Sequence, residues 1–368
     1  MSLTLTIAGG GTGGHVFPGI ALAEAFLDLV PGGAVSFVGT EGGLEARTVP
    51  GRGFEIDFVP SGQVLGKGAG GLLGVAMMVK GISSAFSVLG RRRPDLVFGV
   101  GGYASVPVAV AALMAGVPLF LQEQNAVPGR ANRMLGRMAR RVYVGFEGAV
   151  PYFPVGKVEV TGNPVRREIA AARQQGTPLE EGDSFVVFAL GGSQGARAIS
   201  RLVVDMARRV KREGYAMKFV LQTGPGEFES VSATVREEQL PIEPFSFTER
   251  IGEVFARCHA VVMRAGALSI AEAALFGKPC ILIPYPHAAD RHQERNAEEF
   301  CATGAGVWMA QDKATEEKVL EALMKWFSNP RRRAAAGEAA MGFSRPDAAA
   351  QIVLSAIRRI GKAEARRV

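Results

Sequence analysis

The chain has 368 residues, 48% of them hydrophobic, and its formal net charge is +7. This length favours two domains, and the apolar content is high enough for folded cores, which excludes a disordered chain. The positive charge favours an anionic partner, whether phosphate, acidic lipid or nucleic acid. The three cysteines have no CxxC spacing, which excludes a disulfide framework and a zinc knuckle and indicates a reducing cytoplasm.

The chain opens with a predicted strand, a glycine-rich loop and a helix. Residues 3–8 alternate in polarity and lack the basic region of a signal peptide, so they predict the first strand. The loop 9–15, GGGTGGH, formally fits the GxGxxG pattern of dinucleotide-binding proteins. In that interpretation Glu41, which follows the predicted strand 35–38, is the ribose-binding acid. His15 stands at the mouth of the loop, where it can accept a proton, contact a ligand or simply cap the helix.

Residues 64–89 form a long apolar segment with almost no acidic side chains. Lys67 and Lys80 lie within it, and three arginines at 91–93 follow it. This pattern predicts either a core helix or a helix whose apolar side rests on a membrane beside a basic rim.

Residues 96–122 contain no charged side chain and are numerous enough to cross a bilayer. Glycines and prolines interrupt them, however, so we predict a buried strand, a helix and a second buried strand. Parallel strands that are covered on both faces are continuously apolar. The polar cluster Gln122–Asn125 follows the second strand and is expected at the carboxyl edge of the sheet, where doubly wound folds bind ligands. The next arginines are predicted to lie along one helix as solvated charges, at positions 130, 133, 137, 140 and 141.

The second half of the chain repeats the opening pattern. Residues 161–166, TGNPVR, mark the crossing into it, and the polar residues 170–183 predict a connector. A strand at 185–190 then leads into a second glycine loop at 191–197, GGSQGAR, and into a helix from Ile199. This loop lacks the full GxGxxG pattern.

A later strand–loop–helix unit carries a candidate binding acid. The apolar run 260–263 predicts a strand, the turn Arg264–Gly266 ends it, and residues 267–276 predict a helix that stops at a glycine and a proline. The helix start can hold a phosphate with its free backbone N–H groups. Glu272, in the second turn, either accepts two sugar hydroxyls there or is merely solvated. After the next strand, at 280–283, a loop supplies further polar side chains, namely His287, Asp290, His292, Gln293 and Asn296.

These elements predict an α/β protein with two doubly wound, Rossmann-like parallel-sheet domains that face each other across a cleft. We place the first domain at residues 1–162 and the second at residues 163–344. The last segment, 345–368, contains a helix predicted at 346–360 that is expected to pack back on the first domain.

The sequence lacks the common motifs for metal binding, hydrolysis and P-loop nucleotide binding. There is no DxD motif and no His, Cys and Asp cluster with metal-ligand spacing, so no metal and no cofactor are required. No GxSxG elbow and no Walker A lysine occur, which argues against hydrolase and P-loop chemistry. A diphosphate can instead be held by helix N-termini, glycine-loop amides and Arg166. The arginine runs lack interleaved aromatic residues, so nucleic acid is not an expected partner.

Six motifs in this order resemble those of the MurG family of GT-B glycosyltransferases, and the resemblance covers essentially the whole chain. They are GGGTGGHVFPG from Gly9, GVGGYAS from Gly99, EQN at Glu123, TGNPVR at Thr161, GGSQGAR at Gly191 and RAGALSIAE at Arg264.

The resemblance implies the GT-B fold and an inverting transfer of N-acetylglucosamine. The donor is UDP-N-acetylglucosamine and the acceptor is the 4-hydroxyl of undecaprenyl-pyrophosphoryl-N-acetylmuramyl-pentapeptide, in peptidoglycan synthesis. It also implies a peripheral location on the anionic cytoplasmic face of the inner membrane. His15 is implied as the general base or its close partner.

The implied substrate-binding residues contact different parts of the two substrates. Thr12, Gly13 and Gly14 face phosphates or sugar, Asn125 and Gln293 contact the sugar, and Arg166 and Ser193 bind the diphosphate. Glu272 holds the ribose hydroxyls, and Thr248 lies beside the uracil. The helix start that flanks the diphosphate comprises Ala267, Leu268, Ser269, Ile270 and Ala271.

The sequence departs from the family pattern at three positions. Gln122 replaces a histidine that usually precedes Glu-Gln-Asn, so that histidine is not expected to be essential. Thr248 replaces an aliphatic residue beside the uracil, which puts an apolar lid in doubt. His292 replaces a glutamine next to Gln293, which puts the fine sugar contacts in doubt.

Two other classes of function remain open at this point. An NAD-dependent oxidoreductase using the loop 9–14 predicts stabilisation by NAD but not by UDP. A non-enzymatic protein that binds sugar nucleotide or membrane predicts binding without turnover.

Overall fold

The computed structural model describes residues 3–61, 69–175, 184–192 and 195–364, and at residues 69–75 and 362–364 it describes the helix but not the side chains. The chain divides into two compact units. The first unit comprises residues 1–166 and 346–368, and the second unit comprises residues 167–345. Each unit is built on a parallel sheet with helices around it.

The strands of the first unit are β1 (Thr4–Gly9), β2 (Ala34–Gly39), β3 (Glu55–Phe58), β4 (Leu96–Gly101), β5 (Leu119–Glu123), β6 (Arg141–Val144) and β7 (Val158–Val160). Those of the second unit are β8 (Phe185–Leu190), β9 (Met217–Gln222), β10 (Ile242–Phe245), β11 (Ala260–Met263), β12 (Cys280–Leu282) and β13 (Gly306–Trp308).

The helices of the first half are α1 (Gly13–Leu29), α2 (Glu45–Gly51), α3 (Ala69–Arg92), α4 (Ser105–Met114), α5 (Arg130–Gly136), α6 (Arg167–Gln175) and α7 (Arg197–Glu213). Those of the second half are α8 (Phe228–Glu237), α9 (Ile251–Arg257), α10 (Ala267–Leu275), α11 (His292–Ala302), α12 (Glu316–Phe327), α13 (Pro330–Phe343) and α14 (Ala348–Glu364). Short 3₁₀ turns occur at Glu147–Tyr152, Ala289–Arg291 and Gln311–Lys313.

Both sheets are doubly wound. The strand order is β3-β2-β1-β4-β5-β6-β7 in the first unit and β10-β9-β8-β11-β12-β13 in the second. Among the described residues every strand pairing is parallel, for example Ile7 opposite Phe98 and Val262 opposite Ala189. The order reverses between β1 and β4 and between β8 and β11, and the crevice outside the carboxyl ends of such strands is the usual ligand position. Each unit therefore has one expected binding edge, and the predicted α/β class with two Rossmann-like domains is confirmed.

The uncharged segment 96–122 folds as β4, α4 and β5, as predicted. All six residues of β4 are buried, which explains why the strand has no polar face. Among the residues that the structure describes, no helix is both long enough and apolar enough to span a bilayer. Helix α3 buries Ala85, Val88 and Leu89, whereas Val79 and Phe86 are exposed. It therefore combines a core face with apolar side chains at the surface.

The last helix belongs to the core of the first unit. Ile352, Val353 and Ala356 of α14 are fully buried in one cluster with Leu5 and Phe26 of β1 and α1. A chain segment that is distant in sequence therefore completes the hydrophobic layer on one face of the first sheet.

Two predicted elements are wrong in extent. The five arginines do not share one helix, because α5 ends at Gly136 and Arg141 already belongs to β6. A Cβ at position 136 would lie 2.5 Å from the Phe153 ring, so the chain packs closely there as it turns into β6. The connector predicted at 170–183 is helical over its first six residues, since α6 extends to Gln175 and is anchored by the buried Ile169. Residues 176–183 lie outside the described part.

Candidate active site

Two glycine loops meet at the binding edge of the first sheet. The Gly10 N–H donates to the Gly101 carbonyl oxygen at 3.2 Å. A Cβ on Gly9 would lie 2.4 Å from that oxygen, and a Cβ on Gly102 would lie 2.3 Å from the Gly10 carbonyl oxygen. Such distances are far inside van der Waals contact, and both Gly101 and Gly102 have positive φ, at +100° and +83°. Only glycines allow the loops after β1 and β4 to approach this closely.

His15 lies in the first turn of α1, while Thr12 occupies the N-cap position. Its Nδ1 is 3.2 Å from the Gly10 carbonyl oxygen, which can only accept. In the neutral ring Nδ1 therefore carries the hydrogen and Nε2 carries the lone pair. The ring rests on Gly101, where an added Cβ would come within 2.9 Å of Nε2. The predicted contact residues Thr12, Gly13 and Gly14 are in the same turn, so the structure brings this group together.

Sequence reasoning missed the side chain that fixes the glycine loop. Glu45, the first residue of α2, is 1% exposed. One carboxylate oxygen accepts the Gly11 N–H at 2.7 Å, and the other accepts the N–H and the hydroxyl of Thr40 at 2.9 and 2.8 Å. Glu41, the acid singled out for an NAD site, is exposed. In a dinucleotide site the loop amides face the pyrophosphate. Here the Glu45 carboxylate already accepts the hydrogen bond of the Gly11 N–H.

Replacing Glu45 with Gln is expected to destabilise the first unit in a pH-dependent manner. Burial raises the pKa of this carboxyl, but the bonds from Gly11 and Thr40 outweigh burial and hold it below its ordinary value of 4.5. The charged form therefore stabilises the fold above that value, and the stabilisation is lost as pH falls through the lowered pKa. We expect Glu45→Gln to reduce the free energy of unfolding by about 2 kcal/mol at neutral pH. Urea unfolding at several pH values measures this loss.

The difference between the wild-type protein and Glu45→Gln should shrink on acidification, because the wild-type carboxyl then becomes neutral as well. Stability profiles that stay parallel down to low pH would contradict this role of the Glu45 charge.

Glu123 positions Asn125 after β5. The carboxylate is 2% exposed, and one oxygen accepts both the backbone and side-chain N–H groups of Asn125, at 3.0 and 3.3 Å. Its other oxygen accepts from Gly129 N at 3.2 Å and from Asn132 Nδ2 at 2.8 Å. Burial raises the pKa of Glu123, and these donors partly offset that rise. Asn125 thus lies at the same sheet edge as the glycine loops, held by a buried acid.

Gln122 belongs to a buried hydrogen-bond network at the end of β5. Its side chain is fully buried and donates to Asn163 Oδ1 at 3.1 Å, and Asn163 in turn donates to the Gln124 carbonyl oxygen at 2.9 Å. Gln124 donates to the Val100 carbonyl oxygen at 2.8 Å. This amide network joins the strand ends of the first sheet. Gln122 therefore has a structural role at this sheet edge.

Arg166, predicted to bind diphosphate, is in the first unit, where its guanidinium lies 4.7 Å from the centre of the Phe17 ring on α1. This is a cation–π distance. Ser193, its predicted companion, lies outside the described residues, so the proposed pair stays a prediction.

The predicted donor-binding helix forms as expected in the second unit. α10 starts at Ala267, directly after β11 and the turn Arg264–Gly266, and its first intrahelical bond runs from Ile270 N to Gly266 O at 3.0 Å. The three preceding N–H groups therefore have no acceptor within the helix. They belong to Ala267, Leu268 and Ser269, of which the first is buried. This helix start points at the binding edge of the second sheet and suits a phosphate.

Glu272 lies in the second turn of α10 and is 5% exposed, so the alternative of a solvated surface acid is wrong. Ile270 and Ala271 are also buried. A carboxylate that is withdrawn from water can hold hydroxyl donors strongly, because hydrogen bonds to charged groups gain in a low dielectric.

The loop after β12 is fastened to the start of α10. Arg264 is buried and donates to the carbonyl oxygens of Ile283 and Pro284, both at 3.1 Å. Asn296 donates from α11 to the Ala265 carbonyl oxygen at 3.1 Å. The sequence had marked Arg264 and Asn296 only as motif and loop residues. These hydrogen bonds hold the loop beside the start of α10.

Gln293 folds back on that loop, where its side-chain oxygen accepts the Tyr285 N–H at 2.8 Å. Asp290 and Arg291, just before α11, have left-handed φ values of 49° and 54°. For a residue other than glycine, such a conformation costs about 1–2 kcal/mol of free energy, and residues of this kind cluster at functional sites. His292 Nδ1 lies 2.8 Å from the Ala289 carbonyl oxygen, so this departure from the family pattern stabilises the turn itself.

Thr248 lies after β10, which is an edge strand of the second sheet and is separated from β11 by β9 and β8. Its hydroxyl accepts the Arg250 N–H at 3.1 Å, just before α9 begins. The neighbouring Phe247 is 55% exposed. The hydroxyl is thus engaged with its own loop, and an exposed apolar ring lies one residue away.

Known families match both halves of the chain. The glycosyltransferase family 28 N-terminal domain matches residues 5–144, and the C-terminal domain of the same family matches residues 186–352. An enzyme of Geobacter sulfurreducens is 39% identical over 353 residues, which are 95% of this chain and 97% of that protein. It is named UDP-N-acetylglucosamine--N-acetylmuramyl-(pentapeptide) pyrophosphoryl-undecaprenol N-acetylglucosamine transferase. The crystal structure of Acinetobacter baumannii MurG matches with a TM-score of 0.78 at 26% identity, over 97% of this chain and 99% of that chain.

The chain belongs to the MurG family. As a MurG-family protein it is a glycosyltransferase, and the oxidoreductase alternative is wrong. A UDP-GlcNAc 2-epimerase of Neisseria meningitidis, crystallised with UDP-GlcNAc, also matches, with a TM-score of 0.65 at 15% identity over 97% of this chain and 100% of that chain. That likeness concerns the fold alone, so the MurG-family assignment depends on the sequence relatives.

Proposed function

We propose that the chain transfers N-acetylglucosamine from UDP-N-acetylglucosamine to the 4-hydroxyl of lipid-linked N-acetylmuramyl-pentapeptide, with inversion at the sugar. The observation that carries this proposal is the 39% identity, over 95% of the chain, with a protein named for that reaction. The reaction breaks the bond between the sugar and the diphosphate and forms a glycosidic bond to the acceptor oxygen. UDP leaves with the bonding electron pair, and the acceptor hydroxyl loses a proton.

The donor is proposed to bind at the carboxyl edge of the second sheet. The N–H groups at the start of α10, from Ala267 to Ser269, stabilise the negative charge that develops on the leaving diphosphate. Glu272 accepts the ribose hydroxyls from its buried position in the same helix. Gln293 and the loop held by Arg264 flank the sugar. Arg166 and Ser193 add diphosphate contacts, and the Thr248 segment lies beside the uracil.

The acceptor is proposed to bind at the carboxyl edge of the first sheet, where His15 is the general base. The contact between Nδ1 and the Gly10 carbonyl oxygen leaves the Nε2 lone pair of the neutral ring as the proton acceptor. Thr12, Gly13 and Gly14 contact phosphate or sugar beside it, and Asn125, held by Glu123, contacts the N-acetylglucosamine. Proton removal as the new bond forms increases the negative charge on the attacking oxygen.

The lipid-linked acceptor requires access to a membrane, and we propose a peripheral location on the anionic cytoplasmic face of the inner membrane. Helix α3 presents the exposed side chains Val79 and Phe86, and Lys80 is exposed beside them. An apolar surface with a basic neighbour suits the headgroup region of an acidic bilayer.

A transfer assay tests the proposed function. The full chain is mixed with radiolabelled UDP-N-acetylglucosamine and the lipid acceptor, with and without EDTA, and label on the lipid is counted. We expect transfer in both conditions. Donor binding without label on the lipid would instead support a non-enzymatic sugar-nucleotide-binding protein, and loss of transfer with EDTA would contradict a metal-independent reaction.

A further inference from the structure

The second unit contains a cavity of about 480 Å³ at the edge of its sheet opposite the proposed donor site. Cys258 and His259 line it just before β11 begins, and Lys278 and Pro279 line it just before β12 begins. It therefore lies at the amino ends of these strands, whereas α10 starts at their carboxyl ends. The volume is within the range of about 300–1,000 Å³ that is usual for small-molecule sites.

Four nitrogen-bearing side chains from different elements line this cavity. Arg173 comes from α6, His259 and Lys278 from the loops before β11 and β12, and Arg333 from α13. The acidic side chain of the lining is the exposed Glu338. Among the residues described in the second unit, none forms an ion pair with Arg173, Lys278 or Arg333 within 4 Å. The cavity wall therefore carries an excess of positive charge.

The backbone holds these side chains in place. Lys278 is 8% exposed and donates to the carbonyl oxygens of Cys258 and Ala256, at 2.6 and 3.3 Å. Arg173 Nε donates to the Leu275 carbonyl oxygen, and Arg333 to the Trp326 carbonyl oxygen, both at 3.2 Å. Each described contact uses one of the five N–H groups of its guanidinium, so both arginines retain donor capacity.

His259 contributes a neutral donor. Its Nδ1 accepts the Val186 N–H at 3.0 Å, so the ring hydrogen is on Nε2. Burial lowers the pKa of His259 to about 4, and the positive charges of Arg333 and Lys278 contribute to the same shift. Burial likewise lowers the pKa of Lys278, and the charges of Arg173 and Arg333 add to that effect while Cys258 opposes it. The positive charges of Arg173 and Arg333 lie close enough to Lys278 to repel it, and an anion between these side chains would relieve the repulsion.

We propose that this cavity binds a small phosphate-bearing anion. Two arginines, a lysine and a histidine line one space, and side chains of this kind supply the N–H donors that suit the several oxygens of a phosphate dianion. The volume leaves room for a small organic group attached to it. Lys278 follows the last turn of α10, so this site and the proposed donor site lie at opposite ends of the same helix. The proposal does not depend on the identity of the transferase substrates.

Calorimetric titration of the full chain with inorganic phosphate tests the proposal. UDP is left out of the titration, because it carries phosphate groups and would compete for the cavity. We expect one equivalent of phosphate whose binding depends on the cavity arginines. The double variant Arg173→Gln, Arg333→Gln is expected to lose at least about tenfold in affinity, because two charge-assisted contacts disappear. Lys278 is left unchanged because it also ties down two backbone carbonyls.

Arg208→Gln is the matched control. Arg208 is an arginine of the same unit that is paired with Glu238 at 2.6 Å and with Asp205 at 2.9 Å, away from the cavity. It should keep wild-type phosphate affinity. If the double variant unfolds, the exposed single variant Arg173→Gln replaces it, with a loss of about fivefold expected. Absence of phosphate binding in the wild-type chain, or unchanged affinity in a folded Arg173 variant, would overturn the proposal.

Discussion

His15→Ala is expected to lower turnover of the lipid acceptor by about 10²- to 10⁴-fold, the usual contribution of a positioned general base. The affinity for UDP should stay within about twofold of wild type, because His15 is not among the residues proposed to contact UDP. The physical reason is the placement of the ring, with Nδ1 against the Gly10 carbonyl oxygen and Nε2 beside Gly101. Turnover is measured with the labelled donor, and UDP affinity is measured by calorimetry.

His15→Asn separates proton transfer from loop structure. The amide of asparagine can still donate to the Gly10 carbonyl oxygen, but it cannot accept a proton at neutral pH. We expect it to be as slow as His15→Ala while unfolding at the wild-type temperature. Wild-type turnover in either variant would remove His15 from the mechanism.

A matched pair of glycine variants tests the ring position without removing the ring. Gly101 and Gly116 both have positive φ, at +100° and +71°, so alanine strains the backbone at either site. At Gly101 the new Cβ would also lie 2.7 Å from His15 Cδ2, whereas at Gly116 no atom lies within 4 Å. Gly101→Ala should therefore lose turnover and Gly116→Ala should keep it. Equal turnover in both variants would contradict the requirement for this ring position.

Several strands were predictable from the sequence because they are short apolar runs between turn residues. The runs at 185–190 and 260–263 coincide with β8 and β11, and the helix expected from Ala267 begins there as α10. In a parallel sheet the interior strands are covered on both faces, so an uninterrupted apolar run is itself the signal. The breakers within residues 96–122 likewise located a strand, a helix and a strand.

The contacts that shape the site were not predictable in the same way. Glu45 reaches Gly11 across 34 positions of sequence, and no local pattern marks a carboxylate that will meet a particular amide. The same is true of Arg264 and the loop carbonyl oxygens it binds. Polar segments were also misjudged, because α6 depends on the single buried Ile169 and lacks a clear amphipathic pattern. Motif order supplied the candidate site residues, and only the fold indicated what holds them.

Glu272→Ala is expected to weaken UDP binding by about 100-fold. A hydrogen bond to a charged group contributes at least roughly 1.5 kcal/mol. Two ribose hydroxyls bound to the carboxylate therefore contribute about 3 kcal/mol, which corresponds to about 100-fold in affinity. The buried position of Glu272 in α10 favours strong bonds, because water does not compete for the carboxylate there. Calorimetry with UDP measures the loss, and the thermal unfolding temperature shows whether the variant is intact. Unchanged UDP affinity would contradict the placement of the ribose at this helix.

A deoxy-sugar analogue decides whether the lost affinity comes from the ribose. 2′,3′-Dideoxyuridine diphosphate lacks the hydroxyls that Glu272 is proposed to hold, so the wild-type chain should bind it about as weakly as Glu272→Ala binds UDP. Removing both partners of one interaction costs little more than removing one, and Glu272→Ala should therefore bind UDP and the analogue equally. If the two losses instead multiplied, the carboxylate would act on donor binding by some route other than the ribose. The proposed donor geometry in the second unit would then be wrong even though the helix is correctly placed.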